Sequence, residues 1–288
     1  MKNEIDGYIL SWIEDNIESE RKIADLVSET GFCRKTIETW FKRKNGMSLG
    51  NYLYSRRMTR ISVLLRYTSI SVTEIAELFH YSSTQNFSRA FAKYTGKTPT
   101  RYRYNKIWDC STLQSSLIKN GKYEPAIKYC SLPDMYIEGE TKKIKEHLHN
   151  SKEVFNTCFS TMEKILSGGI NEVYMACHTD KCDTLFDGRN RNIVAILTIG
   201  IRSDVERKES VKVPGGDYIY YNFSGDWNDY VYYSRFYHIK LMAENNIILE
   251  DRQYITTFKR NISIDGYDFT VYIPVAMTKI QSESPRII

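Results

Sequence analysis

The stretch SVTEIAELFHYSSTQNFSRAFAKYTGKTPTRYR, residues 71–103, reads as a helix, a turn, a second helix, a glycine stop and the start of a third helix. Ser71-Val72-Thr73-Glu74 fits a capping box, in which the Ser hydroxyl takes one free helix N–H and the Glu reaches back to another. Thr98-Pro99 fits an N-cap followed by proline at the first helical position, where its missing N–H costs nothing. Over 83–94 the 3.6-residue period puts Phe87, Phe91 and Tyr94 on one side, predicted to be core. Gln85, Ser88, Arg89, Ala92 and Lys93 fall on the other side. From Tyr81 to Arg103 there are five Lys or Arg and no acid.

Moving towards the N-terminus, the same pattern recurs. Ile23-Ala24-Asp25-Leu26 is echoed by Ile75-Ala76-Glu77-Leu78. Ile37, Phe41, Gly46 and Tyr52 return 50 residues later as Phe87, Phe91, Gly96 and Tyr102. In 33–44, Ile37, Trp40 and Phe41 form the expected core side, and Arg34, Lys35, Glu38, Thr39 and Lys42 face out. Between the copies, Leu49, Tyr52, Leu53, Ile61, Leu64 and Leu65 predict one long helix from about 48 to 66. Ile5, Ile9, Trp12, Ile13 and Ile17 predict another at 5–17. A braced second helix in each copy is the helix-turn-helix pattern, whose recognition helix enters the major groove.

Charge agrees with that reading. The chain of 288 residues has a net charge of +5, but residues 30–106 hold 15 basic and 3 acidic side chains. Residues 123–288 hold 20 basic and 23 acidic. One half is suited to a phosphate backbone and the other is not. No signal-peptide pattern or membrane-length apolar run is present, so a cytoplasmic protein is expected. The six cysteines are irregularly spaced and are read as reduced thiols. Cys177-His178 with Cys182 lacks the paired spacing of a zinc site, so no metal or other cofactor is predicted.

Residues 7–106 resemble the DNA-binding domain of AraC/XylS-type transcription regulators, in the MarA, SoxS and Rob branch. The resemblance is carried by Ile75, Ala76, Tyr81, Ser83, Phe87, Arg89, Phe91, Gly96, Thr98, Pro99, Tyr102 and Arg103. It implies seven helices, two recognition helices in successive major-groove segments of double-stranded DNA about 34 Å apart, and activation through RNA polymerase. With both recognition helices on one chain, two half-sites can be read without a dimer, so a monomer on DNA is expected. The DNA-binding candidates are Arg34, Lys35, Glu38, Thr39 and Lys42 on the first recognition helix. On the second they are Ser83, Thr84, Gln85, Ser88, Arg89 and Lys93. Arg101 and Arg103 follow as phosphate contacts. Gln can bond adenine twice, Arg can read guanine, and Glu38 can accept from cytosine. Relatives carry Trp, Gln and Arg where this chain has Lys35, Glu38 and Thr39, so a different target sequence is expected.

After a linker at 108–122 the period becomes that of an α+β domain. Strands are predicted at 126–131, 135–142, 172–177, 192–202, 217–223, 253–258 and 268–274. Helices are predicted at 146–167 and about 229–245. The run from Gly215 to Gly225, the ending Thr270–Val275 and an opening hairpin around Leu132-Pro133-Asp134 resemble GyrI-like effector-binding domains. That resemblance implies two similar β-α-β halves over 123–288 and an aromatic pocket for a small hydrophobic or amphipathic effector. Its candidates are Tyr136, Tyr218, Tyr220, Trp227, Tyr230 and Tyr272. Thr270 stands where relatives place an acid, with Glu138 or Asp226 as substitutes. The fold class expected is therefore an all-α double helix-turn-helix domain followed by an α+β domain, in a regulator rather than an enzyme. A hydrolase, or a ligand-free sequestration or protein-docking module, is the alternative for the second half. The five histidines form no constellation with a nucleophile.

Overall fold

The computed structural model describes residues 2–118, 124–147, 152–180 and 192–276. It forms two compact units, one of Met1–Asn105, Ser111–Asn120 and Ile239–Asn245, the other of Lys106–Cys110, Gly121–His238 and Asn246–Ile288. The first is helical: α1 (Lys2–Asp15), α2 (Ile23–Thr30), α3 (Arg34–Asn45), α4 (Leu49–Tyr67), α5 (Val72–Leu78), α6 (Thr84–Thr95) and α7 (Pro99–Tyr104). The capping box closes at both bonds, with Glu74 N donating to Ser71 Oγ at 3.1 Å and Ser71 N to Glu74 Oε2 at 2.9 Å. Thr98 caps α7 with Pro99 at its start. Ile37, Phe41, Phe87 and Phe91 are fully buried, whereas Trp40 and Tyr94 are only half-buried.

The internal repeat has a different register from the one its I-A-acid-L words suggest. Lys22 holds the N-cap position of α2 without a side-chain cap, its N–H donating to Asp25 Oδ2 at 2.6 Å as Ser71 N does to Glu74 Oε2. Cap alignment pairs Leu26 with Ile75, both buried, and leaves Ile23 half-buried at the first turn. It also pairs Gly31 with His80, both left-handed, at φ 70° and 60°. The second turn is one residue longer, so α3 and α6 then align at an offset of 50, with caps at Cys33 and Ser83.

Buried arginines tie this unit together through charge-assisted bonds. Arg66, 5% exposed, donates to the carbonyls of Tyr102, Arg103 and Asn105 and fixes α7 against α4. Arg56 is bidentate to Glu14 of α1 at 2.7 and 2.8 Å and also donates to Gln114 O. Burial works against its charge, and Glu14 outweighs burial and raises its pKa. Segment 113–118 lies on the unit's own core. Leu117 N donates to Tyr52 OH at 3.0 Å, Gln114 N donates to Thr59 Oγ1 at 2.7 Å, and Leu117 and Ile118 pack beside Ile9, Ile13 and Tyr52.

In the second unit, β1 (Ile107–Asp109) pairs with β8 (Ile248–Glu250). The main sheet contains β2 (Lys128–Leu132), β3 (Met135–His147), β4 (Val173–Thr179), β5 (Asn192–Ser203), β6 (Ser210–Val213), β7 (Gly216–Gly225), β9 (Tyr254–Asn261) and β10 (Gly266–Pro274). Its order is β2-β7-β10-β9-β4-β5-β3-β6. With α8 (Lys152–Ser167) after β3 and α9 (Trp227–Tyr232) with a π-helical turn (Tyr233–Tyr237) after β7, the order is palindromic, and α10 (His238–Glu244) follows, its residues from Ile239 onward belonging to the first unit. β3, β4 and β5 occupy the places in one half that β7, β9 and β10 occupy in the other.

The expected opening hairpin is not one. β2 pairs with β7, and β3 pairs with β5 and β6. Pro133 and Asp134 alone join them, a reach of about 10 Å. Strands six places apart in a flat sheet would lie about 29 Å apart. The β6–β7 connection through Pro214 and Gly215 poses the same constraint. Both are met because the sheet curls until its edges approach each other. Gly139 and Gly200 face each other across β3 and β5, and a Cβ on either would lie 2.1 Å from a backbone oxygen.

Candidate functional site

The outer faces of α3 and α6 form the candidate nucleic-acid interface. Lys35, Thr39 and Lys42 are exposed on α3, with Thr36 and Arg43 beside them. Arg34 Nε donates to Glu38 Oε1 at 2.8 Å, an i,i+4 pair on the exposed face, so the only acid of α3 is already engaged by a cation. On α6, Gln85, Arg89 and Lys93 are exposed and Ser88 is half-buried. Ser83 is the N-cap, accepting from Asn86 N at 3.2 Å. Thr84 Oγ1 donates to Thr73 Oγ1 at 3.4 Å, joining α6 to α5. Arg101 is exposed on α7. Arg103 is turned inward. It donates to Leu65 O at 3.2 Å and to Ile70 O, and burial lowers its pKa.

Ser83 caps the start of α6, and a glycine ends each recognition helix. Gly46 and Gly96 end α3 and α6 in the left-handed conformation, each N–H bonding back to Lys42 O or Ala92 O. Cys33 Sγ lies 2.9 Å from Thr36 Oγ1 at the start of α3, and this hydrogen bond lowers its thiol pKa.

The candidate ligand face is the concave side of the curled sheet. Register places Tyr218, Tyr220, Thr270 and Tyr272 there. Tyr272 lies 5.5 Å from Tyr220 and 6.5 Å from Tyr218 between ring centroids. Burial, with smaller repulsions from Cys130 and neighbouring groups, pushes the Tyr272 phenol up to about 12. Ile137, Ala176 and Ile255 make an apolar floor with Tyr174 at its side. Beyond it is an open depression of about 650 Å³ lined by Asn222, Ser224, Thr257, Lys259, Asp268 and Thr270. Lys259 pairs with Glu172 at 3.3 Å, and Asp268 accepts from the neutral side chains of Ser224 and Asn261.

The other effector candidates lie elsewhere. Trp227 and Tyr230 sit on the opposite, helix-covered side, where Tyr230 stacks on Phe269 at 5.2 Å and Trp227 meets Phe159 at 5.1 Å. Tyr136 and Glu138 share that side of β3, and Glu138 pairs with Arg207 at 2.9 Å. Asp226 is exposed and caps α9, accepting from Asp229 N at 2.9 Å. Tyr174, Glu172 and Ile255 were not singled out from sequence. Strand alternation counted from Thr270 would have selected them by register. Among the described residues there is no group of three or more metal-capable side chains, and no helix is long and apolar enough to cross a membrane. Cys182 and His149 lie outside the described residues.

A family model for a helix-turn-helix domain matches residues 26–105. The multiple antibiotic resistance protein MarA of Salmonella typhimurium is 35% identical over 99 residues, covering 34% of this chain and 78% of MarA. The F1 operon positive regulatory protein of Yersinia pestis is 26% identical over 93% of this chain and 86% of its own length. The transcriptional regulator Rob of Salmonella typhimurium is 23% identical over 75% of this chain and 77% of Rob. The chain spans 59% of the length of a further relative, the putative regulator YkgA of Escherichia coli, at 31% identity. With the helical repeat, its basic outer faces and these relatives together, the chain belongs to the AraC/XylS family of DNA-binding transcription regulators.

Proposed function

We propose that the chain is a sequence-specific activator that reads two successive major-groove segments with α3 and α6 as a monomer in the cytoplasm. Residues 1–107 would read DNA, and residues 123–288 would sense a ligand or protein, with 108–122 between them. The observation that supports this most is the pair of helices ended by equivalent left-handed glycines, each presenting exposed basic side chains such as Lys35 and Lys42 or Arg89 and Lys93 beside hydrogen-bonding Thr39 or Gln85. Gln85 and Arg89 are the base-reading choices on α6. Lys35 and Thr39 are those on α3, and Lys42, Lys93 and Arg101 serve phosphate. Arg103, bonded inside, serves by holding α7 in place. A promoter-bound chain then raises transcription by contact with RNA polymerase.

The concave face of the sheet is the sensing surface in this reading. Its tyrosines offer apolar area with a polar tip, and its Thr, Ser and Asn lining offers neutral hydrogen bonds. A small amphipathic molecule fits that chemistry, its apolar part on the tyrosines and its polar part on the neutral lining, while Glu172 is already paired with Lys259 and Asp268 is bonded by neutral donors. The test is a reporter driven by a promoter carrying the duplex that the full chain enriches from a random library. Transcription should rise with the chain and fall with Gln85→Ala. No enriched sequence, or enrichment with unchanged transcription, would overturn the activator reading. A thermal-shift screen on the full chain, with Tyr272→Ala as control, tests the sensing face.

A further inference from the structure

We propose that His80 is a positioning residue for DNA reading: it braces the second helix-turn-helix against the first and thereby sets the spacing of α3 and α6. His80 occupies the left-handed region at φ 60°, where its counterpart in the first motif is Gly31 at φ 70°. A side chain with a Cβ is disfavoured there, and glycine is the undemanding choice. The ring offsets that cost with contacts far away in sequence. Nε2 lies 3.0 Å from the carbonyl oxygen of Glu18, and Nδ1 lies 3.2 Å from Glu20 Oε1. Both acceptors belong to the loop joining α1 to α2, in the first motif.

The same loop is held from a second direction. Arg57, on the helix α4 that connects the motifs, donates to the carbonyls of Ile17, Ser19 and Arg21 at 3.0, 2.8 and 3.0 Å. Arg60 of α4 approaches Glu18 Oε1 at 3.9 Å. The loop is thus clamped between the connecting helix and the turn that precedes α6. Arg66 and Arg103 hold α7 on α4 and Tyr54 of α4 meets Tyr94 of α6, and His80 adds a tie from the second turn to the loop of the first motif. A surface histidine with no such task would sit in an ordinary turn conformation or be replaced by glycine without consequence.

This inference uses the DNA reading proposed above only for its second measurement. In the full chain with Cys33→Ser, spin labels at positions 42 and 93 report the separation of α3 and α6 by pulsed electron resonance. His80→Gly, which keeps the backbone conformation, is expected to broaden that distance distribution, and Glu20→Ala is expected to broaden it less. Glu20→Ala added to His80→Gly should change nothing further, because Glu20 acts through the ring. On the enriched duplex, inserting one base pair between the two contacted segments should cost the parent about tenfold in affinity and His80→Gly roughly threefold. A distribution and a spacing preference both unchanged in His80→Gly would overturn the brace. Failure of the parent to enrich any duplex would overturn the DNA reading, and the distance measurement would still decide on His80.

Discussion

Individual side chains in this protein are sorted by what they bond to more than by their type. Arg66 and Arg103 sit in the most basic part of the sequence, yet both spend their guanidinium groups on backbone carbonyls inside the helical unit. Arg66→Met is expected to destabilise by about 3 kcal/mol, because carbonyls of α7 lose charged donors in a buried place. Chemical denaturation of the full chain, following helical signal, measures it. Ser62 is the reverse case. Its hydroxyl is buried on α4 without a hydrogen-bond partner among the described residues, so Ser62→Ala should raise stability by about 1 kcal/mol. Cysteine reactivity follows surroundings too. Cys33 is exposed with a lowered pKa, whereas burial pushes Cys130 up to about 11 and Cys177 to about 12. Since the thiolate reacts, iodoacetamide at neutral pH should modify Cys33 first among these three, and its rate should level off at lower pH than theirs. Peptide mapping over a pH series reads this out. Residue chemistry of this kind was the least legible from sequence: Arg103 looks like a phosphate contact until the carbonyls of Leu65 and Ile70 are seen beneath it.

At the scale of elements, boundaries were legible wherever a local rule sets them. Ser71 with Glu74 and Thr98 with Pro99 start helices for reasons contained in four residues, and both starts stand. Ser71→Ala should cost about 1 kcal/mol of stability. The register of the first repeat is less legible, because four similar letters outweigh the N-cap position that fixes helix phase. Strand pairing was less legible. Leu132-Pro133-Asp134 has the composition of a hairpin turn, but turn residues do not say which strand lies alongside. Closure of the sheet decides that, and where β3 and β5 pair Gly139 with Gly200 the backbones leave no room for a Cβ. Gly200→Ala should therefore cost at least about 2 kcal/mol and show as a lowered denaturation midpoint. The short strands β1, β6 and β8 have three or four residues each, too few for a period to register.

At the scale of the whole molecule, charge is divided unevenly between the two halves of the chain. The basic helical half presents cations on the outer faces of α3, α6 and α7, and the second half carries paired charges around a tyrosine-lined face. Tyr218, Tyr220 and Tyr272, candidates that the family resemblance supplied, share the concave face, whereas Trp227 and Tyr230 belong to the opposite side, on the helix α9 that packs against Phe269 and Phe159. The central claim is that one chain reads DNA with both α3 and α6. The most direct test is the affinity of the full chain for its enriched duplex, measured by fluorescence anisotropy over a salt series for the parent, Lys35→Ala, Arg89→Ala and the double variant. The account predicts a log-affinity that falls steeply with log salt, a loss of about tenfold for each single variant, and a shallower salt slope for the double variant. Full affinity retained when either helix is altered would contradict it.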